Sequence, residues 1–374
     1  MVQAAITGSG VFTPELSISN DELVEAFNAY ADKFNAENAA EIAAGSIEAK
    51  DHSSSEFILK ASGIEKRYVL NKSGILDPDI MHPTLPERSM DDPSVMAEMG
   101  IDAANKALQQ AGRAASEIDL VIVAASNHER AYPAIAVEIQ QLLGCKGFGF
   151  DMNVACSSAT FGIQTAADMI KAGSVEKALV INPEICSAHL EWRDRDCHFI
   201  FGDVATATVI ENVADAKGDH FKIIDTKCAT AFSNNIRNNS GFLRRTREGH
   251  EPKDRRDMQF MQEGRKVFKE VVPMVSSLIQ DHMAENDLTA SDLKRLWLHQ
   301  ANKSMNDFIG RKVLGREPEA GEQPNILQDY ANTSSAGSII AFSKYSDDLS
   351  AGDKGIICSF GAGYSVGSVI LEKQ

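Results

Sequence analysis

The chain has 374 residues, long enough for two packed domains or one large duplicated one, with 43% hydrophobic and 24% charged residues. A net charge of −16 argues against nucleic acid as the main partner, because phosphates would be repelled without a strong local basic stripe. No run approaches the roughly 20 apolar residues that span a bilayer, so no membrane partner is expected.

The start, MVQAAITGSGVFTP, lacks the basic region and apolar core of a signal peptide and reads as a short strand ending in a Gly-rich turn. Six cysteines, at 145, 156, 186, 197, 228 and 358, have no framework spacing, which fits reduced thiols in a cytoplasmic protein. Residues 27–56 are rich in Ala, Glu and Asn and read as one or two polar helices; residues 71–93 carry four prolines and read as an irregular loop. Both look like insertions that decorate a core.

From residue 99 the sequence repeats itself. A helical stretch, Met99 to Ala111, leads to Ser116-Glu-Ile-Asp-Leu-Val-Ile-Val and a second helix ending at Leu143-Gly144. The script returns with Val267 to Glu285, then Ser291-Asp-Leu-Lys-Arg-Leu-Trp-Leu, then a helix ending at Leu314-Gly315. Cys156-Ser-Ser-Ala opens one helical run and Asn332-Thr-Ser-Ser another. Each run ends at an Ala-Gly pair followed by an apolar strand, and Gly202 to Ile210 parallels Gly363 to Leu371. These elements divide the chain into a half at 1–215 and a half at 216–374. Short apolar strands alternating with helices imply an α/β fold with mostly parallel sheets buried on both faces. Two such halves make a five-layer αβαβα sandwich.

Cys156 follows a strand and opens a helix, where the macrodipole and free N–H groups favour thiolate. The bland alternative is a small apolar core residue; the strand-to-helix turn and Ser157-Ser158 favour the reactive reading. His299 ends the strand Leu296-Trp297-Leu298, where open α/β sheets place their sites, though a histidine bonded to backbone fits equally. Asn332 occupies in the second half the slot of Cys156 in the first, which sets a carboxamide donor against the thiol; the alternative is an ordinary N-cap. The run Phe360-Gly-Ala-Gly-Tyr-Ser-Val-Gly leads into a strand, so it is no dinucleotide fingerprint. Its Gly363 is the candidate to offer an N–H to an oxyanion. Cys186, His189, Cys197 and His198 match no common zinc spacing, and no metal is expected.

DMNVACSSATFG around Cys156, LHQAN around His299, YANTSSAGS around Asn332 and the terminal FGAGYSVGS resemble β-ketoacyl-acyl-carrier-protein synthase III, a family of the thiolase fold. AYPAIAVEIQQLLG and FGDVATATVI are also similar to segments of that family. The resemblance implies an acyltransferase. An acyl-CoA loads Cys156, and malonyl-acyl carrier protein is then decarboxylated with hydrogen bonds from His299 and Asn332 to give a 3-oxoacyl product in fatty-acid biosynthesis. N–H groups of Cys156 and Gly363 would hold the oxyanion, and no metal or redox cofactor is implied. The family is a homodimer whose acyl pocket receives a residue of the neighbouring subunit, here Tyr132. Its adenine-stacking Trp is replaced by Phe57, and CoA-gripping and carrier-docking Arg positions by Ala61 and Ser304, with Lys303 beside the latter.

A basic run, Arg237, Arg244, Arg245, Arg247, Arg255, Arg256, Arg265 and Lys266, offers a docking patch for an acidic carrier protein, diluted by interleaved carboxylates. The insertions point to a primer longer than acetyl, such as a medium-chain one. Competing readings are a secondary-metabolite ketosynthase using CoA-bound substrates, a 3-hydroxy-3-methylglutaryl-CoA-forming relative, a thiolase using Cys358, and a non-catalytic carrier-protein-binding scaffold.

Overall fold

The computed structural model describes residues 2–89, 91–239, 241–246 and 256–374. In chain order, β1 (Ala4–Phe12) and β2 (Leu16–Ser19) precede α1 (Asn20–Glu37), α2 (Ala39–Ala43), α3 (Ser55–Ser62) and β3 (Lys66–Val69). Then come α4 (Val95–Ala111), β4 (Leu120–Ala124), α5 (Ile135–Leu143), β5 (Phe148–Met152), α6 (Ser158–Lys171), β6 (Lys177–Ile185), β7 (Asp203–Asn212) and β8 (Phe221–Ser233). After the two-residue strands β9 (Ile236–Arg237) and β10 (Met261–Gln262) the series resumes. It runs α7 (Gly264–Glu285), β11 (Leu293–Leu298), α8 (Lys303–Leu314), α9 (Leu327–Tyr330), α10 (Ala336–Lys344), β12 (Lys354–Gly361) and β13 (Gly363–Lys373).

Nine strands form one sheet in the order β11-β12-β13-β8-β1-β7-β6-β4-β5. On one side of the β1/β8 seam the order is β1-β7-β6-β4-β5, and on the other β8-β13-β12-β11. The two sides therefore carry their strands in the same order, with no counterpart of β5 among the described residues of the second. The seam itself is short: only Ala5↔Lys222 and Ile6↔Phe221 pair across it.

Strand period 2 explains the layers. In β4, Leu120, Ile122 and Ala124 face a middle layer that also contains Ile163 of α6 and Phe342 of α10. The alternate residues Val121 and Val123 face an outer layer with α4 and α5. On the far side, Leu296 and Leu298 of β11 face α7 and α8, while Trp297 faces the middle. Five αβαβα layers result.

Three expectations are corrected. The sheet is not mostly parallel. Pairings β1/β7, β1/β8, β6/β7, β8/β13 and β12/β13 are antiparallel, and only β4/β5, β4/β6 and β11/β12 are parallel. The last strands of each half follow loops without a crossover helix, and only a crossover returns a strand parallel. The polar helix read over 27–56 begins earlier, at Asn20, because Ser19 and Glu22 form a capping box at the start of α1. Finally, Gly8 and Gly10 make no turn; β1 runs through them. A Cβ on Gly10 would lie 2.1 Å from the Ala103 carbonyl oxygen, and one on Gly8 2.2 Å from that of Ala107.

The glycines thus let α4 lie directly on the strand. Gly10→Ala is expected to lower stability by about 1–3 kcal/mol, since backbone rather than a pliable side chain must move. An unchanged urea midpoint would show that the helix does not pack this closely. The described residues of 70–94 contain no helix or strand, in keeping with the proline-rich reading. The helices before them bury Leu23, Phe27 and Ile58 against Trp192, Phe199 and Phe201, so this added layer packs on the loop that borders the site.

Candidate active site

The strand β5 does not flow into α6. Between them a 3-10 turn, Ala155–Ser157, carries Ala155 at φ +48, a left-handed conformation that costs a non-glycine residue energy. Asn153 holds the bend: its Oδ1 accepts from the Ala155 N–H at 2.9 Å, and its Nδ2 donates to the Ser126 carbonyl at 2.8 Å. Cys156 stands at the apex, part-exposed toward a cavity of about 420 Å³. A Cβ added to Gly361 opposite would lie 2.6 Å from the Cys156 Cβ and 3.0 Å from its sulfur. That approach requires glycine.

His299 and Asn332 line the same cavity. The His299 ring packs edge-on against Phe360 at 5.1 Å. Its backbone N–H donates to the Cys358 carbonyl at 2.7 Å, and its carbonyl accepts from Asn306 at 2.9 Å. The residues that follow are scaffolding. Gln300 accepts from the Ile326 N–H at 3.0 Å, while Asn302 caps α8 and donates to the Ala61 carbonyl at 2.7 Å. Asn332 is pinned between the Ile200 carbonyl and the Gly202 N–H. Its Oδ1 accepts from the Ser334 N–H at 2.8 Å, which leaves its NH2 as the group offered to the cavity.

Two residues close to the thiol went unread in the sequence. The Ser334 hydroxyl lies 3.5 Å from the Cys156 sulfur, on a residue at φ +50. Glu184, fully buried at the end of β6, accepts from the Ser126 N–H at 3.0 Å and hydroxyl at 2.5 Å, and from the Ser335 N–H and hydroxyl. It thereby ties β6 to the loop that carries Asn332 and Ser334. A Glu inside an apolar strand was the available signal. Arg195, also missed, lies over the Phe57 ring at 4.4 Å.

Electrostatics depart from one expectation. The helix start was read as favouring thiolate, but burial dominates and pushes the Cys156 thiol up to about 11, the Ser334 hydroxyl and the Ala362 N–H opposing it only in part. Burial also raises Glu184 to about 7 and lowers His299 to about 4, the Ser334 backbone offsetting the latter slightly. His299 Nδ1 has no hydrogen-bond partner among the described residues. The resting pair is a neutral thiol and a neutral imidazole. A base of this kind stops working only when protonated, so its activity is lost as pH falls through its folded pKa. Acyl loading of Cys156 is expected to stay flat from about pH 7 to about pH 5 and to fall only near 4. Loading rates read by mass that fall with a midpoint at the ordinary 6.5 would place His299 in water.

Gly363 does not line the cavity. The N–H that reaches the Cys156 sulfur belongs to Ala362, the single residue linking β12 to β13, and Gly363 at φ +124 serves the turn. Phe57, Ala61 and Ser304 line the cavity. Lys303 packs beneath Gly63 and pairs with Asp307 at 2.8 Å, and Arg265 is exposed beside Gly264, which lines the cavity. In the basic run, Arg244 pairs with Asp257 and Arg256 with Asp194; Arg247 and Arg255 lie outside the described residues, as does the Arg245 side chain. Tyr132 touches none of this: it is 85% exposed. His198 meets Ser53 at 3.2 Å and His189 meets Asn127 at 2.8 Å, and among the described residues no three metal-binding side chains gather.

Residues 150–231 match the family model for 3-oxoacyl-[acyl-carrier-protein] synthase III, and residues 283–373 that for its C-terminal domain. The chain is 57% identical over 352 residues to a β-ketodecanoyl-[acyl-carrier-protein] synthase of Pseudomonas aeruginosa, covering 94% of this chain and 100% of that protein.

The chain belongs to the β-ketoacyl-acyl-carrier-protein synthase III family. A β-ketoacyl-[acyl-carrier-protein] synthase III of Acidiphilium cryptum is 35% identical over 278 residues, 73% of this chain and 83% of that one. The solved synthase III of Aquifex aeolicus has the same fold, with a TM-score of 0.75 at 23% identity over 99% of both chains. The synthase III identity makes the protein a condensing acyltransferase, and the thiolase fold seen above is that of its structural neighbours. Among the described residues no helix is long and apolar enough to cross a membrane.

Proposed function

We propose that Cys156, His299 and Asn332 are the catalytic residues of this synthase and that the two runs of equivalent strands are duplicated halves, 1–215 and 216–374. One observation carries the reading: a thiol at a strained turn shares one cavity with a neutral imidazole and a carboxamide NH2 fixed by its own loop. In the first step the Cys156 sulfur attacks the carbonyl carbon of an acyl-CoA. Its proton passes to His299, and the N–H groups of Cys156 and Ala362 hold the oxyanion. The C–S bond to CoA then breaks, and the CoA sulfur takes the proton from His299. Malonyl-acyl carrier protein follows. His299 and Asn332 donate to its thioester carbonyl while carbon dioxide leaves, and the resulting enolate attacks the acyl-Cys156 carbon. The Cys156 C–S bond breaks to release a 3-oxoacyl thioester, and the expelled thiolate takes a proton from solvent to restore the thiol.

Phe57 lines the cavity and carries Arg195 over its ring at 4.4 Å; it is suited to stack the adenine of CoA once that guanidinium lifts off to cover the other face of the base. Lys303 and Arg265 border the entrance as docking charges for an acidic carrier protein, in a cytoplasmic setting. The outer edge of the sheet is β5, and its exposed Phe148, together with Val137 and Leu142 of α5 and Tyr132, presents an apolar face that fits a homodimer interface. A relative is named for a ten-carbon 3-oxoacyl product. Because condensation adds two carbons, the primer here is an eight-carbon, medium-chain acyl-CoA. Intact mass after mixing with acetyl- through dodecanoyl-CoA tests the reading. One acyl adduct on Cys156, strongest with octanoyl, is expected, and no adduct with any of them would sink it.

A further inference from the structure

A second cavity, of about 390 Å³, opens where the seam between β1 and β8 ends, and it shares no lining residue with the thiol cavity. The ladder across the seam stops at Ile6↔Phe221, and both residues line the opening. β8 starts at Phe221, while the pairing of β1 with β7 shifts register between Ile6 and Gly8. Thr7 is thus the extra residue of a β-bulge. The cavity is the gap left where the ladder gives out. The Ala362 N–H that reaches the thiol precedes β13 at its Gly363 end, whereas Lys373 at the other end lines the gap. That strand sets the two cavities roughly 30 Å apart.

The walls of the gap hold polar groups with unmet bonding. Thr7 is 3% exposed, yet its Oγ1 has no partner among the described residues; a buried hydroxyl left so is destabilising. His220 Nδ1 meets the Gly218 carbonyl at 2.9 Å. A carbonyl only accepts, so Nδ1 donates and Nε2 of the neutral ring is an acceptor. That Nε2 is also buried without a partner among the described residues. Lys373, 8% exposed, pairs with Asp219 at 3.2 Å, but a carboxylate 85% exposed neutralises a buried ammonium poorly. Lys217, bonded to the Gly112 carbonyl at 3.1 Å, brings a second ammonium. Gln110 commits its Oε1 to the Ser9 N–H, which leaves its NH2 to offer. The opposing charge in the lining, Asp347, is exposed, where water and salt screen it.

We propose that this gap binds a small hydroxylated oxyanion, either a hydroxy acid or a phosphate monoester of a polyol. The anionic group sits between Lys373, Lys217 and the Thr7 hydroxyl, and a hydroxyl of the ligand donates to His220 Nε2. Donors outnumber acceptors here, and the volume lies in the range of small-molecule sites. Thr7 and Gln110 belong to one side of the seam and His220 and Lys373 to the other, so the ligand bridges a join that only two residue pairs make. Its effect falls on stability and not on the chemistry at Cys156.

Titration calorimetry on the full chain tests this with glycerol 3-phosphate and malate, each against sodium chloride at matched ionic strength. The two probes separate a phosphate from a carboxylate source. Wild type is expected to bind at least one of them. Thr7→Val, which keeps the shape without the hydroxyl, and Lys373→Met, which keeps the stem without the charge, are each expected to weaken that binding about 10-fold or more. Acyl loading of Cys156, retained in Thr7→Val, shows that this variant is folded, and it decides the matter alone where loss of Lys373 unfolds the chain. Wild type that binds neither probe beyond chloride would overturn the proposal. Wild-type affinity in either folded variant would overturn it too, since the anion would then sit elsewhere on the protein.

Discussion

Cys156→Ala is expected to abolish acyl loading and to cut condensation by on the order of 10⁶-fold, the loss that follows removal of a covalent nucleophile together with its intermediate. The same variant is expected to keep its ability to decarboxylate a malonyl thioester. The donors to that substrate are His299 and the Asn332 NH2, and neither is oriented by the sulfur: the His299 backbone is held by Cys358 and Asn306, and the Asn332 carboxamide by Ser334. Carbon dioxide release from malonyl-acyl carrier protein, measured beside product formation, separates the two. If both activities vanish in a folded variant, the sulfur takes part in decarboxylation and the division of labour proposed here fails.

Asn332→Ala carries the complementary expectation. It removes one preorganised donor from a dry site, which typically costs about 10²–10³ in rate. The effect should fall on decarboxylation and condensation, with acyl loading close to wild type, because the thiol's own neighbours are Ser334, Ala362 and Gly361. Burst amplitude with acyl-CoA and steady-state release of carbon dioxide measure the two steps. Equal losses in both would mean that Asn332 acts by holding the loop in place.

Much of this arrangement was readable in the residues. The doubled script from Met99 to Leu143 and from Val267 to Leu314 located α4, β4, α5 and their partners α7, β11, α8 to within a few residues, since period and capping glycines are local signals. Other features were not. That Gly8 and Gly10 serve helix packing depends on Ala103 and Ala107, about a hundred positions away, and no local pattern separates that use from a turn. The same holds for Ser334 and Glu184. Their roles arise where a loop of one half meets a strand of the other, and the alignment of halves showed only that Cys156 and Asn332 are equivalent. Strand direction was misread because alternation of helices and strands says nothing about which connections are hairpins. The protonation of Cys156 was misread because a helix start is visible in sequence, whereas the depth of its burial is not.

The seam between β1 and β8 joins the sheet through only two residue pairs, so the sides are married chiefly in the middle layer, where α6 packs on β8, β12 and β13 of the other side and α10 on β1, β6 and β7. Cys156 enters at the head of one of those helices, and Asn332 and Ser334 at the head of the other. Any slippage between the sides would part the sulfur from its partners before either side had melted. Catalytic output should therefore decline at lower denaturant than helical content does, a gauge of alignment rather than of folding.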